Sequence, residues 1–396
     1  MRLLIITSSF HPVIGGAETY AWEVAEGLAA RGHDVVVVTD LPRGHQAGEV
    51  FAGDPEGVDV RRLSRYHEIL ADPSKIHWEQ MAYGLMPEIR DVIDEFRPDL
   101  VLTNSMDAAL LGKTVSLDRG IPWVATFHEH SPQDEPLGAG RLRLVHGVLK
   151  PSLVLAGGAF YAERAAEWGP GNPVELIYHG VDTERFHPGI DGRPVREHHG
   201  LTDQETLFVL AGRLKPRKGI REAISAFDRV RRACPGARLL IVGSVSSASL
   251  DYSAQLDADI AALDLQQTVT IDRTVTFDRM PGVLAAADVV VQPSFEEGLG
   301  ISVLEAMSMG KPVVTTDIVG VRELLTAPGV ARVVPPGAPE PLAHVLIELA
   351  GSAEERSRLG KAAREHVVGS FSKQRMVERT ESVLLTRSAR REAGHV

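Results

Sequence analysis

The amino-acid sequence predicts an α/β protein of two doubly wound domains, and three features of its pattern carry that prediction. Short β-branched runs alternate with longer helical stretches from the first residues onward, the signature of parallel strands joined by crossover helices. The strand candidates are apolar on both faces, as at Val35–Val38, which is how strands read when helices cover both sides of a sheet. Between Asp182 and Glu205 the alternation lapses into Pro188, Gly189, Gly192, Pro194 and a charged, His-rich run. It then restarts, so this stretch reads as an interdomain linker.

Taken in order, first-half strands are expected at Leu3–Thr7, Val35–Thr39, Val58–Leu63, Leu100–Thr103, Trp123–Phe127, Leu153–Leu155 and Val174–Ile177. A helix over Thr19–Arg31 sets Trp22, Val24, Ala25 and Leu28 on one stripe and stops at Gly32, as a C-terminal glycine should. Second-half strands are expected at Leu207–Ala211, Arg238–Val242, Val269–Ile271, Val289–Gln292, Pro312–Thr315 and Ala331–Val334. Helices between them fall near Ile220–Arg232, Ala254–Leu263, Met280–Ala286, Ser302–Ser308 and Pro341–Ala350. Two more, Ala353–Val367 and Lys373–Thr386, precede a polar tail from Arg387 that is expected to fray. The expected division is 1–182, 183–371, and a terminal helix and tail over 372–396 that packs back on the first domain.

Composition agrees and excludes several classes. With 396 residues, 44% hydrophobic and 24% charged, the chain is an ordinary globular protein long enough for two cores. Lys plus Arg number 42 against 53 Asp plus Glu, a formal charge of -11, which argues against wrapping by nucleic acid or an anionic membrane. Cys234 is the single cysteine, so no internal disulfide forms and a reducing, cytoplasmic setting is expected. The apolar run Leu3–Thr7 is too short for a signal-peptide core, and no 18 consecutive apolar residues occur.

In open parallel sheets the ligand crevice lies outside the carboxyl ends of the strands, so segments following strands are weighed first. Gly15-Gly16-Ala17-Glu18 opens the first helix; such a turn lets backbone N–H groups approach a phosphate or sugar oxygen, or is simply tight. It is not a dinucleotide fingerprint, since no G-x-G-x-x-G occurs in the chain. Gly212-Arg213-Leu214-Lys215-Pro216-Arg217-Lys218-Gly219 places four cations in six positions after a strand. That favours a diphosphate, with Arg213 forking two oxygens and Lys218 as a point charge, over a solvated basic turn.

Ser294 through Met307 follows the strand ending at Gln292. Its glycine loop, Gly298-Leu299-Gly300-Ile301, leads into a helix whose first amides suit an anion. Glu297 in the loop and Glu305 in the helix are placed to accept bonds from hydroxyls at two ends of one ligand. An acid and base pair of a glycosidase is the rival use, and an ordinary ion pair the plain one. His128 ends a strand in Thr126-Phe127-His128-Glu129-His130; with no third ligand suitably spaced a metal is not expected, and the residue reads either as a structural histidine or, from its strand-end position, as a cleft residue. His179-Gly180-Val181-Asp182 is a hinge or cleft lining, and His198-His199 reads as solvated surface.

Together these segments resemble the nucleotide-sugar glycosyltransferases of GT-B fold, specifically family four, a group of retaining enzymes. The resemblance covers nearly the whole chain: the glycine turn at 15–16, Thr126-Phe127-His128, Gly180-Val181-Asp182, Gly-Arg-Leu-x-x-x-Lys-Gly at 212–219, Pro293-Ser294 through Glu305-Ala306-Met307, and Gly310-Lys311-Pro312-Val313-Val314. It implies two Rossmann-like domains facing a cleft, a UDP- or GDP-linked sugar as donor, and neither cofactor nor metal. Glu297 then corresponds to the residue near the donor sugar hydroxyls and Glu305 to the one on the ribose. Arg213 and Lys218 match the diphosphate clamp, Gly16 the N-terminal loop, and His128 the histidine beside the transferred sugar. Arg273 stands at the base pocket, where the family often has Gly, and Val319-Gly320-Val321-Arg322-Glu323 replaces the common Gly-Gly-x-x-Glu. An epimerase or phosphorylase of the same fold, or a silent nucleotide-sugar binder, shares these features.

The acceptor is expected on the first domain. Its amphipathic candidate, Glu79 to Glu95, carries Glu79, Glu88, Asp91, Asp94 and Glu95 against Arg90 alone, which an anionic leaflet would repel. Arg141, Arg143 and Lys150 are the nearby basic cluster. The expected acceptor is therefore a small soluble polar molecule, such as a cyclitol, aminocyclitol, sugar or thiol metabolite, with no stable membrane binding.

Overall fold

The computed structural model describes residues 1–13, 15–42, 45–46, 49, 51–63, 84–128, 138–244, 250–298 and 300–393, with side chains to 389. The chain forms two compact units, Met1–His179 together with Gln374 onward, and Gly180–Lys373.

The first unit holds seven parallel strands in the order β3-β2-β1-β4-β5-β6-β7: β1 (Arg2–Ile6), β2 (Asp34–Asp40), β3 (Val58–Leu63), β4 (Leu100–Thr103), β5 (Trp123–Phe127), β6 (Leu153–Ala156) and β7 (Val174–Leu176). Leu4 pairs with Val36 on one side and Val101 on the other. Successive side chains alternate between faces, and both faces are buried. Leu4, Ile6, Val36 and Val38 join Ile89, Val92 and Trp123 in one core. Leu3, Ile5, Val35 and Val37 join Val24 and Leu28 in the other, closed by Met376, Val377 and Leu384 of the terminal helix Lys373–Ala393. A Cβ on Gly27 would lie 2.5 Å from Val377 Cγ2, so a glycine there is what lets that helix seat.

The second unit holds six parallel strands in the order β10-β9-β8-β11-β12-β13: β8 (Thr206–Ala211), β9 (Ala237–Val242), β10 (Val269–Asp272), β11 (Val289–Gln292), β12 (Val313–Thr316) and β13 (Arg332–Val334). Phe208, Leu210, Leu239, Ile241, Val289 and Val291 centre its core, with Phe227 edge-on to Phe208. Strand order reverses between β1 and β4 in the first unit and between β8 and β11 in the second, and such reversals open ligand crevices.

The expectation of a linker over 182–205 is corrected, because this stretch belongs to the second unit. It contains the helix Arg193–His198, which buries no residue. The helix is held by Arg196, which donates to the carbonyls of Ala286 (3.1 Å), Thr202 and Glu205 and reaches Asp288 at 3.3 Å. Attachment through a guanidinium and main-chain oxygens leaves no apolar periodicity to read.

Candidate active site

In the second unit the two loops at the reversal are locked together. Phe295 N–H donates to Arg217 O at 2.8 Å. Gly219 is left-handed (φ +64), and a Cβ there would lie 1.9 Å from Pro293 O, so only glycine permits the approach. Beneath this junction lie Lys218 and Glu297, 8% and 7% exposed and joined as an ion pair. Ser294 Oγ donates to Glu297 Oε1 at 2.7 Å, Gln292 Nε2 at 3.1 Å, and Arg217 Nη1 lies 3.6 Å from Oε2. Burial pushes the Glu297 carboxyl up, but Lys218, Ser294 and Arg217 outweigh it and hold it below its ordinary value. Desolvation lowers the Lys218 ammonium, with Glu297 opposing.

Arg213 is exposed and makes no hydrogen bond or ion pair among the described residues. Its charge, then desolvation and Arg217, hold the Lys215 ammonium below its usual value. Cations crowded at one strand end repel one another, and an anion among them relieves that repulsion. The helix Ile301–Ser308 starts at Gly300, which is left-handed (φ 50, ψ 44) and, as a glycine, has no side chain of its own to cap the first amides. Gly298 lies half-buried in the same loop, and Leu299 lies outside the described residues. A Cβ on Gly320 would meet Glu297 O at 2.0 Å and Gly298 O at 2.8 Å. Where the family often has two glycines, the one kept is thus the one on which the Glu297 loop rests, while Val319 is exposed.

Glu305 lies in the same helix. It keeps some exposed surface, yet the protein around it desolvates the carboxyl and raises it to about 7, with Arg185 and Lys218 pulling it down. Sequence reasoning missed Arg185, which stacks on Phe277 (3.8 Å to the ring centroid) and donates to Phe277 O at 2.7 Å. Arg273 is held by partners of its own. Its guanidinium donates to Ser253 Oγ at 2.9 Å and to both oxygens of Asp257 at 2.9 Å, which turns it onto the helix Leu250–Ala262. The structure does not bring it into the Lys218–Glu297 group. His198 is exposed, but His199 is partly buried, its Nε2 3.5 Å from Asp272; the solvated reading holds for the first histidine only.

In the first unit, Gly15 precedes the helix Gly16–Ala30, and Glu18 folds back so closely that a Cβ on Gly15 would lie 2.2 Å from its Oε2. His128 follows β5, with Nε2 2.9 Å from Asn104 Oδ1. Burial lowers the imidazole to about 4, so it is neutral at pH 7. Tyr20 stands edge-on to it at 5.2 Å, and His179 lies 5.2 Å from it and stacks on Tyr20 at 4.6 Å. Burial and then His128 keep His179 well below the ordinary histidine value. Glu129 and His130 lie outside the described residues. Sequence reasoning missed Asn104 and Tyr20, one a lone amide after a strand and the other a core-type aromatic, and neither carries a motif signal.

Comparison with known proteins gives the class. A family model described as "Glycosyl transferases group 1" matches residues 193–366, and one described as "Glycosyltransferase Family 4" matches residues 14–185. The chain is 28% identical over 395 residues, 97% of each chain, to a GDP-mannose-dependent monoacylated alpha-(1-6)-phosphatidylinositol monomannoside mannosyltransferase of Corynebacterium glutamicum. It is 28% identical over 328 residues to a D-inositol 3-phosphate glycosyltransferase of Pseudarthrobacter chlorophenolicus, covering 77% of this chain and 75% of that one. Among solved structures, Anabaena HepE in complex with UDP and glucose superposes with a TM-score of 0.79 at 21% identity, covering 98% of this chain and 100% of that one. Two parallel sheets, each flanked by helices and each with a reversed strand order, are the GT-B architecture. The chain is a GT-B glycosyltransferase of the family-four type.

Proposed function

We propose that this enzyme transfers a sugar from a nucleoside diphosphate to a small, polar, polyhydroxylated acceptor with the anomeric configuration kept. The donor assignment is carried by the β8–β11 reversal, where the Lys218–Glu297 pair, the exposed Arg213 and the start of the helix Ile301–Ser308 meet. Transfer needs charge opposite the departing diphosphate, and preorganised cations and amides supply it without reorganising during the reaction. On this reading the second unit holds the donor and the first the acceptor. Arg213 forks two phosphate oxygens, Lys218 faces the same charge, Glu297 orients the sugar hydroxyls and Glu305 accepts from the ribose. The bond from the anomeric carbon to the phosphate oxygen breaks as the acceptor oxygen bonds on the same face. The acceptor's proton passes to the departing phosphate, with His128 orienting the sugar.

For the acceptor, the two relatives above are named for an inositol phosphate and for a phosphatidylinositol monomannoside, and a cyclitol ring is common to both. A soluble form is favoured by the helix Met86–Phe96, which buries Ile89, Val92 and Ile93 and exposes Asp91, Asp94 and Glu95; Glu79 lies outside the described residues. Arg141, Arg143 and Lys150 are exposed and suit an anionic substituent. Leu144 and Val148 are exposed among them, so a lipid acceptor is the reading to test against. No helix of the described residues is long and apolar enough to cross a membrane.

The test offers UDP- and GDP-linked sugars with free cyclitols, cyclitol phosphates and anionic liposomes, and reads the product's anomeric coupling by proton NMR. Transfer to a free cyclitol with the donor's configuration is expected. Product confined to liposomes would overturn the acceptor assignment, and an inverted product the stereochemical one.

Glu305 gives a pH signature. An ionised carboxylate accepts ribose hydroxyls, so donor binding pulls Glu305 down from about 7 and releases a proton. Donor affinity should fall as pH drops through 7, approaching about tenfold per unit well below it. Without donor the sign is opposite. A carboxyl raised by folding contributes stability below its unfolded value, and that stability is lost as pH rises through 7. Calorimetry with intact donor at pH 6 and 8, in buffers of different ionisation enthalpy, reads the proton, and Glu305→Gln should flatten the profile. Equal wild-type affinities at both pH values would contradict the ribose role.

A further inference from the structure

We propose that Asn104 is a positioning residue for His128: it fixes which ring nitrogen carries the hydrogen and how the ring is turned, and it ties both to the first turn of the helix Gly16–Ala30. The inference rests on the reading of His128 as a group that orients the sugar, and carries it to a residue outside every motif described above.

Asn104 follows β4 in the crevice where the first sheet reverses order between β1 and β4. Its N–H donates to Ile6 O, the last residue of β1, at 3.0 Å. The side chain is 2% exposed, so its amide must be paired within the protein. Chemistry settles which way that amide faces. The atom 2.8 Å from Ala17 O is Nδ2, because a carbonyl can only accept. Oδ1 therefore lies toward His128 Nε2, at 2.9 Å, and Thr126 Oγ1, at 3.1 Å. An amide oxygen is also only an acceptor, so Nε2 must carry the hydrogen, and the lone pair of the neutral ring belongs to Nδ1. Tyr20 and His179, each 5.2 Å away, pack against the ring and limit its rotation. One tautomer in one orientation is what a group must have to act without reorganising. The Ala17 carbonyl hangs on the same amide, so a shift of the Gly15-Gly16 turn is felt at the ring.

Two replacements separate positioning from mere support. Asn104→Ala and Asn104→Asp both lose the donor to Ala17 O, but aspartate still accepts from Nε2. The readouts are kcat and donor KM at pH 8, where the ring stays neutral, and the nitrogen shifts of ¹⁵N-labelled histidine, with His128 assigned by difference from His128→Gln. In Asn104→Ala, kcat is expected to fall about 10- to 100-fold with donor KM within about twofold, and the His128 signals to move to a mixture of tautomers. In Asn104→Asp the Nε2–H signals and most of kcat should remain. Equal loss of kcat in both variants, with His128 signals unchanged, would overturn the proposal and leave Asn104 as an anchor of the helix alone. Wild-type kcat in His128→Ala would instead overturn the reading of His128, while the tautomer signals of Asn104→Ala would still decide the positioning claim.

Discussion

Replacing Lys218 with methionine is expected to lower the unfolding midpoint of the second unit by about 10 °C at pH 8 and to abolish detectable transfer. Both effects come from one buried pair. Removing one partner of such a pair costs about 3–5 kcal/mol, because it strands the other charge away from water. Glu297 would keep Ser294 Oγ at 2.7 Å and Gln292 Nε2 at 3.1 Å, and neither is a cation. Its remaining charge, Arg217 at 3.6 Å, already donates to Glu296 O. In the wild type the Glu297 carboxyl is held down, so its contribution is present above the unfolded value and is lost as pH falls through the folded one. In Lys218→Met the burial effect is unopposed by the lysine and the carboxyl rises, so the sign reverses. The deficit should be largest at pH 8 and shrink toward pH 5, where a neutral carboxyl tolerates burial. Lys218→Met/Glu297→Gln should recover most of the midpoint and none of the transfer. Calorimetric unfolding at both pH values with a donor-turnover assay checks this, and an undiminished midpoint in Lys218→Met would show that the pair carries no stability.

The pair also marks where sequence reading stops. Parallel strands buried on both faces print themselves as apolar runs, which is why β2 and β11 were legible from Val35–Val38 and Val289–Gln292. The site's backbone was legible too, since Gly219 and Gly300 are glycines for a conformational reason. Side-chain partners were not. Four cations in six positions read alike in sequence, and nothing in them announces that Lys218 is buried against a carboxylate 79 residues on while Arg213 stays at the surface. Arg273 follows β10 as a base-pocket residue would, and nothing local announces that Asp257 on the preceding helix takes its guanidinium. Asn104 was missed for the converse reason. A neutral amide has no charge pattern, and its importance lies in residues 17 and 128, both far away along the chain.

The exposed arginine should behave as the reverse of Lys218. Arg213→Ala is expected to lower kcat/KM by about 10²- to 10³-fold, the loss typical when a preorganised donor to a developing charge is removed. Its unfolding midpoint should stay within about 1 °C of wild type, because a surface side chain with no partner among the described residues contributes little to folding. Removing one cation also relieves Lys215, whose ammonium Arg213 holds down, so the folded protein loses repulsion as well as charge. Arg213→Lys separates charge from shape. A lysine restores the positive charge but not the planar fork that grips two phosphate oxygens, so it should recover only about a tenth of the lost rate factor. Because the guanidinium is solvent-facing, its share of donor binding should weaken with salt, and the alanine variant should show a shallower salt dependence than wild type. The assignment fails if Arg213→Ala keeps the wild-type rate. It fails equally if the alanine variant's midpoint drops as far as that of Lys218→Met, since the arginine would then be holding the fold and not the diphosphate.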